Sequence, residues 1–415
     1  MRGAAMGIAL AMAGCMTEPG GVSRALSIEG WDVYGAGDFG RAGSMFQAAI
    51  ATNPFEADAH AGLGRLALQK LDLITAWPHF ERALEYSSRH PQALEDLALS
   101  YHMLGEFERA AQFYERMGAM FKPIVEMLRS FGDSKPYRVT LPADEVRVPL
   151  SASDPLPVVE VSVGGKGPYR FYIDTGAAEV FVDSALAKEL GLRDFGEVQG
   201  LFPGGGTRPV SIVRLPSLEL GGVRVEDLPG NTMDLSAASA QLGRPIHGIL
   251  GVHFLMRFTA TIDYRRGGAL VLRRKERVWN LPGERLPFVI VGDHYLLTRG
   301  SINGVPVLWF VDTGFAGEVP IAATGSALMA SGVRVGTGKV LGQGGGGSHV
   351  LRTFVAESVA VGGVKRERVP GLTDVMPGVL ERRFRVRIGG MLGHGFFRRG
   401  ALTIDFREMI MLLEE

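Results

Sequence analysis

The chain has a single cysteine in 415 residues, Cys15, so no intrachain disulfide can form. It has no excess of charge of either sign. Lys and Arg total 44, as do Asp and Glu, which gives no reason to expect nucleic acid or another polyanion as a partner. No apolar run is long enough to cross a bilayer as a helix. None of the histidines stands in a metal-ligand spacing such as HExxH, and no metal or cofactor is expected. Glycine is plentiful: 57 residues, concentrated after residue 160, in a chain that is 46% apolar. Such a chain can form two or three packed domains, with a turn-rich β region in its second half.

The N-terminus reads "MRGAAMGIALAMAGCM": a positive Arg2, a short apolar run, then small residues before Cys15. This is the pattern of a cleaved signal peptide over residues 1–14. Met12-Ala13-Gly14-Cys15 resembles the bacterial lipoprotein lipobox. The resemblance implies a lipidated Cys15 as the mature N-terminus, a short tether over 15–22, and a protein anchored at the bacterial cell envelope. Met16 after the cysteine leans towards the outer membrane or periplasmic face, again by resemblance.

Residues 23–120 are rich in Ala, Leu, Glu and Arg and read as helical. Ala42, Ala76 and Ala110 are 34 residues apart, and so are Phe46, Phe80 and Tyr114. Small residues let paired helices approach and large ones fill the space between units. The period matches three tetratricopeptide units, which usually offer a surface for a protein partner. Residues 121–145, with Pro123, Gly132, Pro136 and Pro142, read as a connector.

The second half is a duplication, with one copy over 146–278 and the other over 279–415. Asp174 and Asp312 are 138 residues apart, "GILGVHF" stands over "GMLGHGF", and "TIDY" stands over "TIDF". In each copy an apolar strand runs into Asp-Thr-Gly. A short helical segment follows, then a glycine-rich tip at Gly204, Gly205 and Gly206 or at Gly344, Gly345, Gly346 and Gly347. An apolar-apolar-Gly ends at Gly251 or Gly393, and a Thr-Ile-Asp strand closes the copy.

This order, occurring twice over roughly 270 residues, resembles the retropepsin-like aspartic peptidases. The resemblance implies an all-α tetratricopeptide-type repeat region followed by an all-β, two-lobed, acid-protease-like double-ψ barrel. It implies an aspartic endopeptidase in which Asp174 and Asp312 face each other. Two close carboxylates cannot both ionise, so they share a proton and activate a water. Thr175, Gly176, Thr313 and Gly314 would hold the two loops together, with Gly251 and Gly393 beneath them. The glycine tips would be mobile flaps over a peptide or protein substrate. Both lobes lie in one chain, so one molecule should suffice for one active site.

Phe315 departs from the pattern, standing where Ser or Ala is more familiar. It supports an alternative reading, a catalytically inactive protease-like binding protein that acts as an envelope scaffold through its repeats. His253 and His394 read as packed residues, and Asp263 and Asp405 as turn or surface partners of Arg265 and Arg407.

Overall fold

A computed structural model describes residues 19–202, 206–265, 267–316, 319–344, 347–373 and 378–415. The signal segment, Cys15 and the tip residues Gly204, Gly205, Gly345 and Gly346 lie outside the described residues. Among the described residues no helix is long and apolar enough to cross a membrane.

Six helices form three antiparallel pairs: Pro19–Gly35 with Phe39–Thr52, Ala57–Leu68 with Leu73–Tyr86, and Pro91–Leu104 with Phe107–Met117. Asp38 and Asp72 each cap a second helix by accepting a backbone N–H, from Arg41 at 3.1 Å and from Thr75 at 3.2 Å. The 34-residue period has a physical basis here. Ala42, Ala76 and Ala110 are fully buried, and Phe46 and Phe80 fill the gaps the small residues leave. A methyl on Gly64 would sit 2.7 Å from the Phe80 ring, and Gly62 is pressed in the same way against Phe46.

The stretch 121–145, expected as a connector, is more ordered than its prolines suggest. Lys122–Arg129 is a helix, with Val125, Met127 and Leu128 buried, and Arg138–Thr140 is a strand paired with Val223–Met233. Pro123 stands in the first turn of that helix, where no N–H is needed.

Each β copy closes into a barrel. In the first, Thr207–Leu220 closes the ring by pairing with both Val158–Val163 and Val223–Met233. In the second, Gly347–Val361 does the same with Tyr295–Ile302 and Val364–Thr373. In both, the strand that leads to the aspartate pairs in parallel with the apolar-apolar-Gly strand: Lys166–Ile173 with Gly248–Leu250, and Val305–Asp312 with Gly390–Gly393.

A six-stranded antiparallel layer joins the lobes. Its order is Glu284–Val291, Ile410–Glu414, Ala401–Asp405, Phe258–Asp263, Ala269–Arg274 and Glu145–Pro149. At its centre the two Thr-Ile-Asp strands cross with Thr261 opposite Thr403, their hydroxyls 2.7 Å apart. Equivalent residues meet there, so the pseudo-twofold axis of the lobes passes through this pair. At the strand ends Asp263 accepts from Arg265 at 2.8 Å, and Asp405 accepts from the Arg407 and Glu408 backbone amides.

The repeats lie against both lobes. Arg65 and Asp96 form a buried bidentate pair at 2.8 Å, and Arg65 also donates to the Phe384 carbonyl. The Ile290 amide donates to Gln69 O at 3.0 Å, and the Arg387 amide to Gly35 O at 2.9 Å. Over these residues the first helices of the pairs lie against the second lobe.

Candidate active site

The two Asp-Thr-Gly loops meet on the pseudo-twofold axis. The Thr175 amide donates to Thr313 Oγ1 at 3.0 Å, and the Thr313 amide donates to Thr175 Oγ1 at 3.0 Å. Each hydroxyl then donates across to the opposite strand, Thr175 to Val311 O at 2.7 Å and Thr313 to Ile173 O at 3.0 Å. Both threonines are fully buried. A hydroxyl that both accepts and donates in this way uses its full capacity, which leaves little freedom between the loops.

The glycines beside the threonines interleave with the carboxylates. A methyl on Gly176 would lie 2.7 Å from Asp312 Oδ1, and one on Gly314 would collide with the Asp174 carboxylate. Each aspartate therefore rests on the glycine of the opposite loop, and only a residue without Cβ permits that approach. The Gly176 amide donates to Asp174 Oδ1 at 2.7 Å, while the Gly314 and Phe315 amides both donate to Asp312 Oδ1 at 3.0 Å.

The two carboxyls act on each other's ionisation, and burial pushes both above the usual carboxylate range. The shift is larger for Asp312. Burial acts on it first, and the neighbouring Asp174 charge adds to it. Asp174 is less enclosed, and both the Gly176 amide and the nearby His294 favour its ionised form. Two buried carboxyls this close resist ionising together, so the proton they retain belongs to the pair.

Gly251 and Gly393 lie directly behind the loops. A methyl on Gly251 would come within 2.7 Å of the Ala177 and Ala178 carbonyls, and one on Gly393 would strike Phe315. Val252 donates to Ala177 O at 2.8 Å, and His394 to Phe315 O at 3.1 Å, so the same brace recurs in both lobes. Phe315 is accommodated because its ring lies on Gly393. Its bulk is directed into the support of the loop, and its amide still serves Asp312.

Of the glycine tips, Gly206, Gly344 and Gly347 fall within the described residues. The first tip ends hairpin Asp194–Leu201/Thr207–Leu220, where Gly206 O accepts from the Phe202 amide at 3.0 Å. In hairpin Val335–Gly344/Gly347–Val361, Gly344 stands opposite Gly347.

A second buried cluster was missed in the sequence. Glu179, five residues past Asp174, accepts from His253 Nδ1 at 2.8 Å and from the Tyr137 hydroxyl at 3.1 Å, and His102 Nε2 of the repeats is 3.1 Å away. Burial alone would raise the Glu179 carboxyl, but His253 and His102 outweigh it and hold it down to about 2. Burial likewise opposes charge on His253, and Glu179 overrides it, raising that imidazole. Asp293 lies 3.7 Å from His253 and accepts from His294 Nδ1 at 2.7 Å. Burial disfavours its charge, yet His294, His253 and Arg383 hold it well below the carboxylate range. A carboxylate between apolar neighbours in "GAAEV" was the available signal. His394, read as packed, is fully buried with Nε2 3.2 Å from Asp154 Oδ1.

Residues 159–254 match the family model described as aspartyl protease, and residues 29–73 and 75–119 match the tetratricopeptide repeat. The chain thus carries an aspartyl protease match in its first lobe, behind tetratricopeptide repeat matches in its helical region. The aspartyl protease match contains Asp174 and Gly251 of the first lobe. Many solved structures are similar, among them the following three. A retropepsin-like aspartic protease from Rickettsia conorii is 20% identical, with 33% of this chain and 91% of that one covered and a TM-score of 0.22. Basic 7S globulin from soybean is 11% identical over 66% and 97%, with a TM-score of 0.38. The TPR-containing domain of a Plasmodium falciparum FK506-binding protein is 13% identical over 27% and 89%, with a TM-score of 0.23. No curated protein matches the chain.

Proposed function

We propose that the chain is an aspartic endopeptidase in which Asp174 and Asp312 form one catalytic dyad. The observation that carries the reading is the interleaving of the two loops, with each carboxylate against the glycine of the other loop. In this reading a water sits between the carboxyls. Ionised Asp174 takes its proton as the oxygen adds to the substrate carbonyl carbon, and Asp312 gives its proton to the carbonyl oxygen. The tetrahedral diol then collapses. Asp174 returns its proton to the leaving nitrogen as the C–N bond breaks, and Asp312 regains one from a diol hydroxyl. The alternative, an inactive binding protein, leaned on Phe315, whose ring is accommodated against Gly393.

The test is peptide cleavage from about pH 3 to pH 8 by the protein starting at residue 16, beside Asp174→Asn and Asp312→Asn. Loss of at least about a thousandfold in kcat/KM is expected for each variant, since neither remaining carboxyl can both take and give a proton. Activity should fall on the alkaline side as Asp312, held above the usual carboxylate range by burial, finally ionises. Turnover surviving in either variant would mean that the two loops do not form one site.

We further propose that the protein is tethered to the bacterial envelope through lipidated Cys15, on the strength of Met12-Ala13-Gly14-Cys15 after an apolar run. Cys15→Ser should move the protein out of the membrane fraction of expressing cells. Unchanged fractionation and no incorporation of labelled fatty acid into the unmutated protein would reject the tether.

A further inference from the structure

A groove of about 420 Å³ runs beside the dyad loop, between the repeats and the first lobe. Ala178 and Glu179, on the loop that carries Asp174, form one end of it, and Phe202 of the first hairpin forms part of one wall. The opposite wall comes from the helical region: Met120 and Phe121 from the turn after the last repeat, and Ile124 from the helix Lys122–Arg129. Met120 is 68% exposed, and Phe121, Ile124 and Phe202 are half-buried. A groove of this size lined by open Met, Phe and Ile side chains suits an apolar group.

Three features distinguish it from a chance surface patch. It is continuous with the catalytic loop through Ala178 and Glu179. Its helical wall is locked to the first hairpin. Arg214 of that hairpin donates to Ser130 O at 2.6 Å and stacks on Phe131 with its guanidinium 4.1 Å from the ring centre, and Gly196 abuts Pro123. Its charged lining is Glu95, Glu179, Glu197, Asp293, His102 and Arg383; Glu179 is paired with His102 and His253, Asp293 with His294, and Glu95 with Arg383, so exposed Glu197 is the carboxylate placed to meet a basic residue. The second hairpin instead leaves Val340, Leu341, Val350 and Val355 exposed to solvent.

We propose that this groove is a substrate pocket built jointly by the helical region and the first lobe, and that it takes a large apolar side chain of a polypeptide with a basic residue next to it. Recognition is then lopsided although the catalytic loops are symmetric. The proposal rests on the reading that a polypeptide lies across Asp174 and Asp312.

The pocket is tested by binding, separately from turnover. Asp174→Asn protein starting at residue 16 is challenged with a positional-scanning peptide library. At one position, Phe, Met or Leu should be favoured over Ser about tenfold, with Lys or Arg enriched beside it. Met120→Ser and Ile124→Ser, each added to that protein, should abolish the apolar preference at that position and leave the other positions unchanged. Met329→Ser, an exposed methionine of the second lobe, should change nothing. Met120 faces solvent, so its variant should keep the parent circular dichroism spectrum. An apolar preference untouched by both groove substitutions, or no binding to any library member, would overturn the pocket. If the unmutated protein cleaves nothing but the preference is present and disappears with Met120→Ser, the peptidase reading fails and the pocket stands. Cleavage whose preferences ignore Met120→Ser gives the reverse result.

Discussion

Gly314 is the residue where sequence and chemistry touch most closely. Asp174 occupies the space a side chain would take. Gly314→Ala should therefore move the carboxylate, or the loop that carries it, by a few tenths of an ångström or more. Misplacement of about an ångström costs roughly a hundredfold in rate, and a kcat loss of about that size is expected with a smaller change in KM. Steady-state kinetics on a cleaved peptide would check it. Near-normal kcat would mean that the loops have more room than their packing shows. Thr175 and Thr313 were expected, by resemblance, to hydrogen-bond across the two loops, but the motif itself carries no partner for them. Whether a threonine faces its own loop or a partner 138 residues away depends on how the lobes pair. Phe315 looked like a departure in the sequence, and only the position of Gly393 shows where its ring goes.

At the scale of elements, the loop after Asp174 is tied to the repeats by Glu179, His253 and His102. The sign of its pH dependence follows from the two shifts. Glu179 is lowered from 4.5 to about 2, so its contribution is complete above about pH 4.5 and lost as pH falls towards 2. His253 is raised from 6.5, so its contribution is complete below about pH 6.5 and lost as pH rises through its higher folded value. Both act together between about pH 4.5 and pH 6.5. Glu179→Gln should destabilise the protein most in that window, by about 3 kcal/mol, because it leaves a buried imidazole without its carboxylate. Denaturant unfolding of the two proteins across pH would check it, and a difference independent of pH would show that the charge pair is not the cause. The helix Lys122–Arg129 was read as a connector because its prolines were weighed above its apolar spacing. It is helical because Pro123 falls in the first turn and the buried residues after it pack on the last repeat.

At the scale of the whole molecule, the repeats and the lobes share buried polar contacts as well as an apolar core. Arg65 and Asp96 are about 95% buried at that boundary, with Arg65 reaching the Phe384 carbonyl of the second lobe. Asp96→Ala strands a buried guanidinium and should cost about 3–5 kcal/mol, whereas the double change Arg65→Met with Asp96→Leu should cost far less. Unfolding monitored at once by helical and β signals should show one transition in the parent, displaced in Asp96→Ala. A helical transition that moves alone would show that the repeats fold independently of the lobes.

Local pattern in the chain determined the repeat period, the duplication and the two Asp-Thr-Gly loops. Each depends on spacing within one element or on a motif a few residues long: the 34-residue recurrence of Ala and Phe or Tyr, and strand alternation broken by Asp-Thr-Gly. Tertiary structure alone decided that both aspartates are buried against each other's loops, that Glu179 is buried and ionised against two histidines, and that the helices wall a groove beside the first lobe. These outcomes depend on burial and on charges brought together from positions far apart in the chain, such as His102 and Glu179. A residue's desolvation and its neighbours' field exist only once the elements have packed.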